Sequence, residues 1–357
     1  MIELKPSGSL PPVTSGAPPA CPVTARSAAQ TAVRVGAQVG GFLLSLGALY
    51  WCFRTATSDP GLRENWPKLL QLPWWLMVAL PLVSALTVVL SGLVFATVIS
   101  PVRKLSALDV VSVNGVCTLL GYFPFKLSLL FRVFWHNRKD RIDLLTIGGW
   151  FGAVAAVILA SLAAAVVAAL LAAHRPLLFV LVGVIALVVF GGMLLPAAGL
   201  ARAVSEWLRA KLSPALGDKL FKLTTGLDML RDRRMLLAAM GLRGLDLAAQ
   251  AVRFTLASQA AAMAGLLDVP LEPAEAAIAG SLYFLLQVLA PAGVAGVREA
   301  GTVAILSTIS GGLRAEQVTA VVLVVSASEL VGNVLVGVPA GLRLWWRAGK
   351  LAAPAAH

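Results

Sequence analysis

Charge is scarce in this sequence. Only 13% of its 357 residues are Asp, Glu, Lys or Arg, where an average soluble domain carries about 25%. Hydrophobic residues reach 59%, against about 45–50% in such a domain. That balance excludes an ordinary soluble enzyme and makes lipid the main solvent. Cysteine is scarcer still. Cys21, Cys52 and Cys117 are odd in number and show no CxxC spacing, which argues against a disulfide framework or a thiolate metal site. The histidines, His136, His174 and His357, are too scattered for an HExxH motif or a metal cluster. No GxSxG elbow, no Walker GxxxxGK[ST] and no GxGxxG after a strand is present, so the sequence calls for no catalytic set, no cofactor and no direct coupling to ATP. The excess of 29 Lys and Arg over 17 Asp and Glu gives a net charge of +12. In a membrane chain this is expected of loops facing anionic lipid, and no nucleic-acid partner is inferred from it.

The long apolar runs are abundant instead. A bilayer crossing takes about 20 apolar residues, and runs of that kind occupy about 35–53, 74–99, 143–173, 177–201, 235–266 and 318–342. Residues 1–33 hold six prolines among Ser, Thr, Gly and Ala and read as a disordered cytoplasmic tail, ahead of a membrane domain at 34–345 and a short tail at 346–357. Two further stretches, about 105–135 and 273–311, are broken by Pro124 and by Pro291, Gly293 and Gly296. Each either contributes full spans or enters the membrane and turns back as a pair of half-helices. Placing the first as a full span would put His136-Asn137-Arg138-Lys139-Asp140-Arg141 outside, against the positive-inside bias, and the second arm of the other is short for a span. Both are therefore read as re-entrant hairpins. With them, 21 Lys and Arg fall on the cytoplasmic side and five outside, which places both termini in the cytoplasm of an inner-membrane protein. The loop 202–234 mixes Trp207, Leu208, Leu212, Leu216, Leu220, Phe221 and Leu223 with basic residues, as an amphipathic helix on the inner leaflet or a solvated connector would.

The expected fold is thus all-α: six transmembrane helices plus two re-entrant hairpins. Span, hairpin and span recur in the two halves with opposite orientation, the plan of an inverted repeat in which broken helices meet near the midplane around a substrate site.

Six ionisable residues lie inside apolar segments: Arg243, Arg253, Arg298, Asp246, Glu299 and Glu329. Each ion at a helix centre costs about 2.5–3.5 kcal/mol on insertion scales, so they must pair or line a wet cavity. Arg243, Asp246, Gln250 and Arg253 follow the spacing i, i+3, i+7, i+10, which on a helix confines them to about 80° of arc. A structural Arg243–Asp246 pair would account for part of this stripe; a pathway for an anionic headgroup would account for all of it. Glu329, with Asn333 a turn later, needs a partner such as Arg298 or Arg253. Arg298 and Glu299 are adjacent, and neighbours on a helix do not face each other, so each is expected to find its partner elsewhere. Glu299 is expected near a half-helix N-terminus, where the helix dipole favours a carboxylate.

The run Leu289-Ala290-Pro291-Ala292-Gly293-Val294-Ala295-Gly296-Val297-Arg298-Glu299-Ala300 resembles the P-G-G-x-G-x-R-E signature of the lysylphosphatidylglycerol synthase transmembrane family. Pro124-Phe125-Lys126-Leu127-Ser128, followed by Arg132, is similar to that family's other motif. Val294 stands where a glycine is usual, Leu129 where an acidic residue often follows, and Pro291 lies one residue further from Glu299 than the common pattern. The resemblance implies a stand-alone flippase domain without the aminoacyltransferase of fused members, and it carries over Lys126, Arg132, Arg298 and Glu299 as site residues. The resulting reading is a lipid flippase or lipid-associated transporter whose partners are the bilayer and an anionic or aminoacylated phospholipid. Lys126, Arg132, Arg253 and Arg298 would contact the headgroup, Glu299, Glu329 and Asp246 would balance charge or relay protons, and Arg243, Gln250 and Asn333 would complete the path; a proton-coupled and an energy-independent mechanism both stay open. A non-transporting scaffold of envelope synthesis and a membrane-embedded lipid-modifying enzyme are the rival readings. An oligomer is compatible with the sequence, but nothing in it argues for one.

Overall fold

Helix ends are set by side-chain caps that the sequence carries. Asp59 accepts a hydrogen bond from the Gly61 N–H at 2.8 Å and is followed by a proline, the usual start of a helix. Asp232 does the same for Arg234 N–H and Met235 N–H, at 2.9 and 3.2 Å. At the other end of that helix Gly265 takes φ +75°, and the Gly265 and Leu266 N–H groups bond back to the Ala262 and Ala261 carbonyls, closing a Schellman turn.

The computed structural model describes residues 28–123, 126–172, 175–211, 227–289, 296–309 and 313–352. Its helices are α1 (Ala28–Ala56), α2 (Pro60–Asn65), α3 (Trp74–Ile99), α4 (Ala107–Leu120), α5 (Leu127–Arg138), α6 (Leu144–Ala172), α7 (Pro176–Lys211), α8 (Arg233–Met263), α9 (Pro273–Leu289), α10 (Val297–Ile309) and α11 (Ala315–Ala352), with short 3-10 turns at Trp66–Gln71 and Met229–Arg231. No strand occurs among the described residues, so the fold is all-α. Two compact units are distinguished, 1–37 and 38–357. The first, where described, is the beginning of a helix; the packing and the site described below concern the second.

Six helical segments are long and apolar enough to cross a bilayer: Val35–Ala56, Trp74–Ile99, Leu144–Ala172, Leu177–Lys211, Arg233–Met263 and Ala315–Arg347. They coincide with the six apolar runs of the sequence. Apolar side chains such as Leu43, Leu44 and Phe53 on α1 and Val180, Leu181, Val184 and Val188 on α7 are exposed. Water would penalise faces of that kind, whereas lipid solvates them. The helix bounds correct the sequence reading in three places. α1 begins at Ala28, inside the segment expected to be disordered, because Ala28-Ala29-Gln30 are good helix formers. Arg202–Lys211 continues α7 rather than opening a loop, and Met229–Arg231 is a 3-10 turn, so of the expected amphipathic segment 202–234 only 212–226 lies outside the described residues. α11 runs to Ala352, past the boundary drawn at residue 345.

Besides the six-residue α2, four helices of intermediate length sit between these six in the chain. α4 and α5 have 14 and 12 residues, and α9 and α10 have 17 and 13. At 1.5 Å per residue each is shorter than a hydrocarbon core of about 30 Å. α4 packs on α5 and α9 on α10; the two pairs join α3, α8 and α11, with α3 against α8 and α11 against α3 and α4. Pro124, Pro291 and Gly293, expected to break these stretches, lie outside the described residues, in the gaps between α4 and α5 and between α9 and α10. Small residues let the bundle close: a Cβ on Gly332 of α11 would come within 2.7 Å of the Pro81 carbonyl and Ser84 Cβ of α3.

Candidate functional site

α8 supplies the spine of the site. Arg243, Asp246, Gln250 and Arg253 are all buried along its inner face, as the 80° arc requires. The stripe splits into two pairs. Arg243 donates to Asp246 Oδ2, with its guanidinium 4.3 Å above the Phe284 ring of α9. Arg253 donates through Nη2 to Gln250 Oε1 and through Nη1 to Glu329 Oε2 of α11, the latter at 3.1 Å.

Glu329 is bridged from a second side. Arg298, on the first turn of α10, donates Nη1 to Glu329 Oε1 at 2.8 Å, so both of the partners expected for this carboxylate are engaged at once. Arg298 also donates to Glu299 Oε1, through Nη2 at 2.7 Å and Nε at 3.2 Å. That corrects the expectation that the two neighbours must part. The rule against i,i+1 contacts holds for side chains projecting from regular helix. Here the pair follows Gly296, which takes φ +93°, and the long arginine folds across the first turn.

Glu299 is fully buried and, among the described residues, accepts more hydrogen bonds than Asp246 or Glu329. Besides Arg298, it accepts from the Gly296 N–H at 2.5 Å, Ser326 Oγ at 2.7 Å and Tyr283 Oη at 3.4 Å. The bond from Gly296, three residues back, is the return half of a capping box, and it places the charge at the positive end of the α10 dipole. Tyr283 stacks under Arg298 with the guanidinium 4.0 Å from its ring centroid. Tyr283 and Ser326 were not singled out from sequence. The signal available was weak: Tyr283 is one of only three tyrosines, set in an apolar run.

Asn333 donates Nδ2 to Tyr122 Oη at 2.9 Å, one turn beyond Glu329. A small cavity of ≈ 40 Å³ is lined by Thr87, Asp246, Gln250, Arg253, Glu329 and Asn333, among others. Among the described residues, Asp246 Oδ1, Asn333 Oδ1 and Arg253 Nε have no hydrogen-bond partner although they are buried. A water needs about 10–15 Å³ of such space and two to four polar partners, so the cavity suits a few waters.

Lys126 and Arg132 do not join this cluster. Lys126 is exposed at the start of α5 with φ 51° and, among the described residues, has no ionic partner. Arg132 is buried; it donates to Asn114 Oδ1 and lies 3.8 Å over the Phe95 ring, while Asn114 Nδ2 donates to the Val88 carbonyl at 2.8 Å. Arg132 therefore ties α5 to α4 and α3. The buried Cys52 and Cys117 are free thiols, and among the described residues no group of His, Cys, Asp and Glu could hold a metal ion.

The Arg243–Asp246 pair yields a direct test. Arg243→Leu leaves a buried carboxylate unpaired and is expected to lower stability by about 3–5 kcal/mol, whereas Arg243→Leu combined with Asp246→Leu recovers most of it. Thermal unfolding of the purified variants measures this; a double variant as damaged as the sum of the singles would show that the two residues do not act as a pair.

Comparison of the chain with protein-family models, with curated proteins and with solved structures returns no match in any of the three.

Proposed function

We propose that this protein is a lipid flippase or lipid-associated transporter of the inner membrane that carries the headgroup of an anionic or aminoacylated phospholipid between leaflets. The observation that carries the reading is the buried cluster of Arg253, Arg298, Glu299 and Glu329, assembled from three different helices where the chain re-enters helix at Val297. Charges at that depth are expensive and characteristically mark a substrate path. Arginine offers a planar fork that matches phosphate oxygens.

In this reading α4–α5 and α9–α10 are re-entrant hairpins related as an inverted repeat, supported by their lengths and their pairwise packing. Both termini face the cytoplasm, supported by the basic asymmetry of the loops. The family likeness of residues 289–300 to the lysylphosphatidylglycerol synthase transmembrane proteins points the same way. A groove of ≈ 430 Å³ between α6, α7, α8 and α9, lined by Ala164, Ala168, Gly183 and Ala251, is apolar and half-open, in keeping with acyl chains that stay in lipid while the headgroup passes. The mechanism is alternating access without a catalytic step.

One observation favours the scaffold reading instead: Arg243, Arg253 and Arg298 each already have an internal carboxylate partner. Reconstitution separates the two. In liposomes carrying labelled anionic, zwitterionic and aminoacylated lipids, the protein is expected to accelerate exchange of an anionic or aminoacylated lipid over protein-free vesicles. No acceleration for any lipid class would leave the scaffold reading standing.

A further inference from the structure

Glu329 occupies the place that an anion would take. Its two oxygens accept from Arg298 Nη1 at 2.8 Å and Arg253 Nη1 at 3.1 Å, so the carboxylate is clamped between guanidinium groups from α10 and α8. The surrounding charges cancel: Arg243, Arg253 and Arg298 against Asp246, Glu299 and Glu329. A phosphate headgroup entering the clamp therefore meets no net positive charge and must displace Glu329. An ionised Glu329 without its partners, in a site this buried, is heavily penalised.

A proton removes that penalty. Protonated, Glu329 can let go of both guanidinium groups, and the cluster is left with a single excess positive charge to receive a monoanion. We propose that the site takes up its phosphate anion together with a proton that binds Glu329, making the protein an anion–proton symporter. The inference rests on the flippase reading and supplies it with an energy source.

The neighbours of Glu329 support this assignment. α8 presents Arg253 and Asp246, α10 presents Arg298 and Glu299, α9 presents Tyr283, and Tyr122 follows α4. α3 and α4 add only the hydroxyls of Thr87, Ser91 and Thr118. Glu299 does not line the polar cavity, and both of its oxygens are engaged, by Arg298, Ser326 and Tyr283 on Oε1 and by the Gly296 N–H on Oε2. Glu329 does line it. The cavity also carries Asp246 Oδ1 and Asn333 Oδ1, unpartnered among the described residues, and its size and polar groups suit waters that would carry protons to Glu329. A sodium ion is the poorer candidate, because the Arg253 guanidinium forms part of the same wall.

The test is calorimetric titration of the purified protein in nanodiscs, in two buffers of different ionisation enthalpy, at pH values from 5.5 to 8. The probes are short-chain phosphatidylglycerol and glycerophosphoglycerol, the same headgroup without chains. Both are phosphodiesters that stay monoanionic over this range, so any proton taken up belongs to the protein. The expected result is uptake of about one proton per anion and an affinity that falls about tenfold per pH unit where Glu329 is ionised in the free protein. Glu329→Gln should bind without proton uptake and with an affinity independent of pH. Binding of both probes assigns the site to the phosphodiester itself; binding of the lipid alone assigns it to a headgroup presented by its chains. Binding by the wild type with no proton exchanged overturns the symport proposal and leaves the flippase reading intact. No binding of either probe overturns the headgroup site on which both rest. Should Glu329→Gln fail to fold, the wild-type proton count alone decides.

Discussion

Arg298→Lys and Glu299→Gln are expected to insert and purify like the wild-type protein yet lose about tenfold or more of lipid translocation in liposomes. Arg298 uses its whole fork: Nη1 on Glu329, Nη2 and Nε on Glu299, and the guanidinium plane on Tyr283. A lysine keeps the charge but is a compact point with no plane to stack, and it cannot span two carboxylates on different helices in the same way. Lost hydrogen bonds to charged groups are worth about 1.5–3 kcal/mol each, and about 1.4 kcal/mol is already a factor of ten. Glu299→Gln is nearly isosteric, but its amide nitrogen is a donor placed among donors from Gly296, Ser326, Tyr283 and Arg298. Full translocation by both variants would remove this turn from the substrate path and favour the scaffold.

Why these two residues meet was not legible in the sequence, whereas much of the surrounding frame was. Span positions follow from apolar runs because a bilayer demands about 20 apolar residues whatever the tertiary fold. Helix ends do not follow, since backbone geometry continues through charged helix formers such as Arg202, Glu206 and Arg209 until a cap or breaker intervenes. The Arg243–Asp246 pair was legible because i, i+3 spacing brings side chains together within a single helix. Glu329 required a partner by the cost of burying a lone charge, and the short list of intramembrane cations named Arg253 and Arg298. That it takes both depends on how α8, α10 and α11 pack, which spacing along the chain does not encode. Lys126 and Arg132 failed to join the cluster for the same reason. Their motif fixes a local turn and a helix start, but Arg132 finds Asn114 and Phe95 on α4 and α3 before it can reach the ion pairs.

Gly296→Ala should be the most damaging single-methyl change in the described structure. A Cβ built at Gly296 would lie 1.7 Å from the Ser45 carbonyl oxygen and 3.0 Å from Leu49 N, both backbone atoms of α1 that cannot swing aside as a side chain does. Gly296 also holds φ +93°, a region that costs an L-residue of order 1–3 kcal/mol before any clash is counted. Relief requires moving α1 or rotating the turn, and rotating the turn withdraws the N–H that Glu299 Oε2 accepts. Stability and function are therefore coupled at this residue: the cap that orients Glu299 also seats α1. The expected outcome is destabilisation of about 3 kcal/mol or more, read as a lowered Tm of the purified protein, together with loss of translocation in whatever fraction folds. Gly192→Ala in α7 is the matched control, because among the described residues no atom lies within 4 Å of its would-be Cβ. There the methyl reduces backbone freedom in the unfolded chain and should leave stability unchanged or raise it by up to about 1 kcal/mol. A Gly296→Ala protein that melts with the wild type would mean that α1 does not pack on this turn, and that Glu299 owes its position to Arg298, Ser326 and Tyr283 alone.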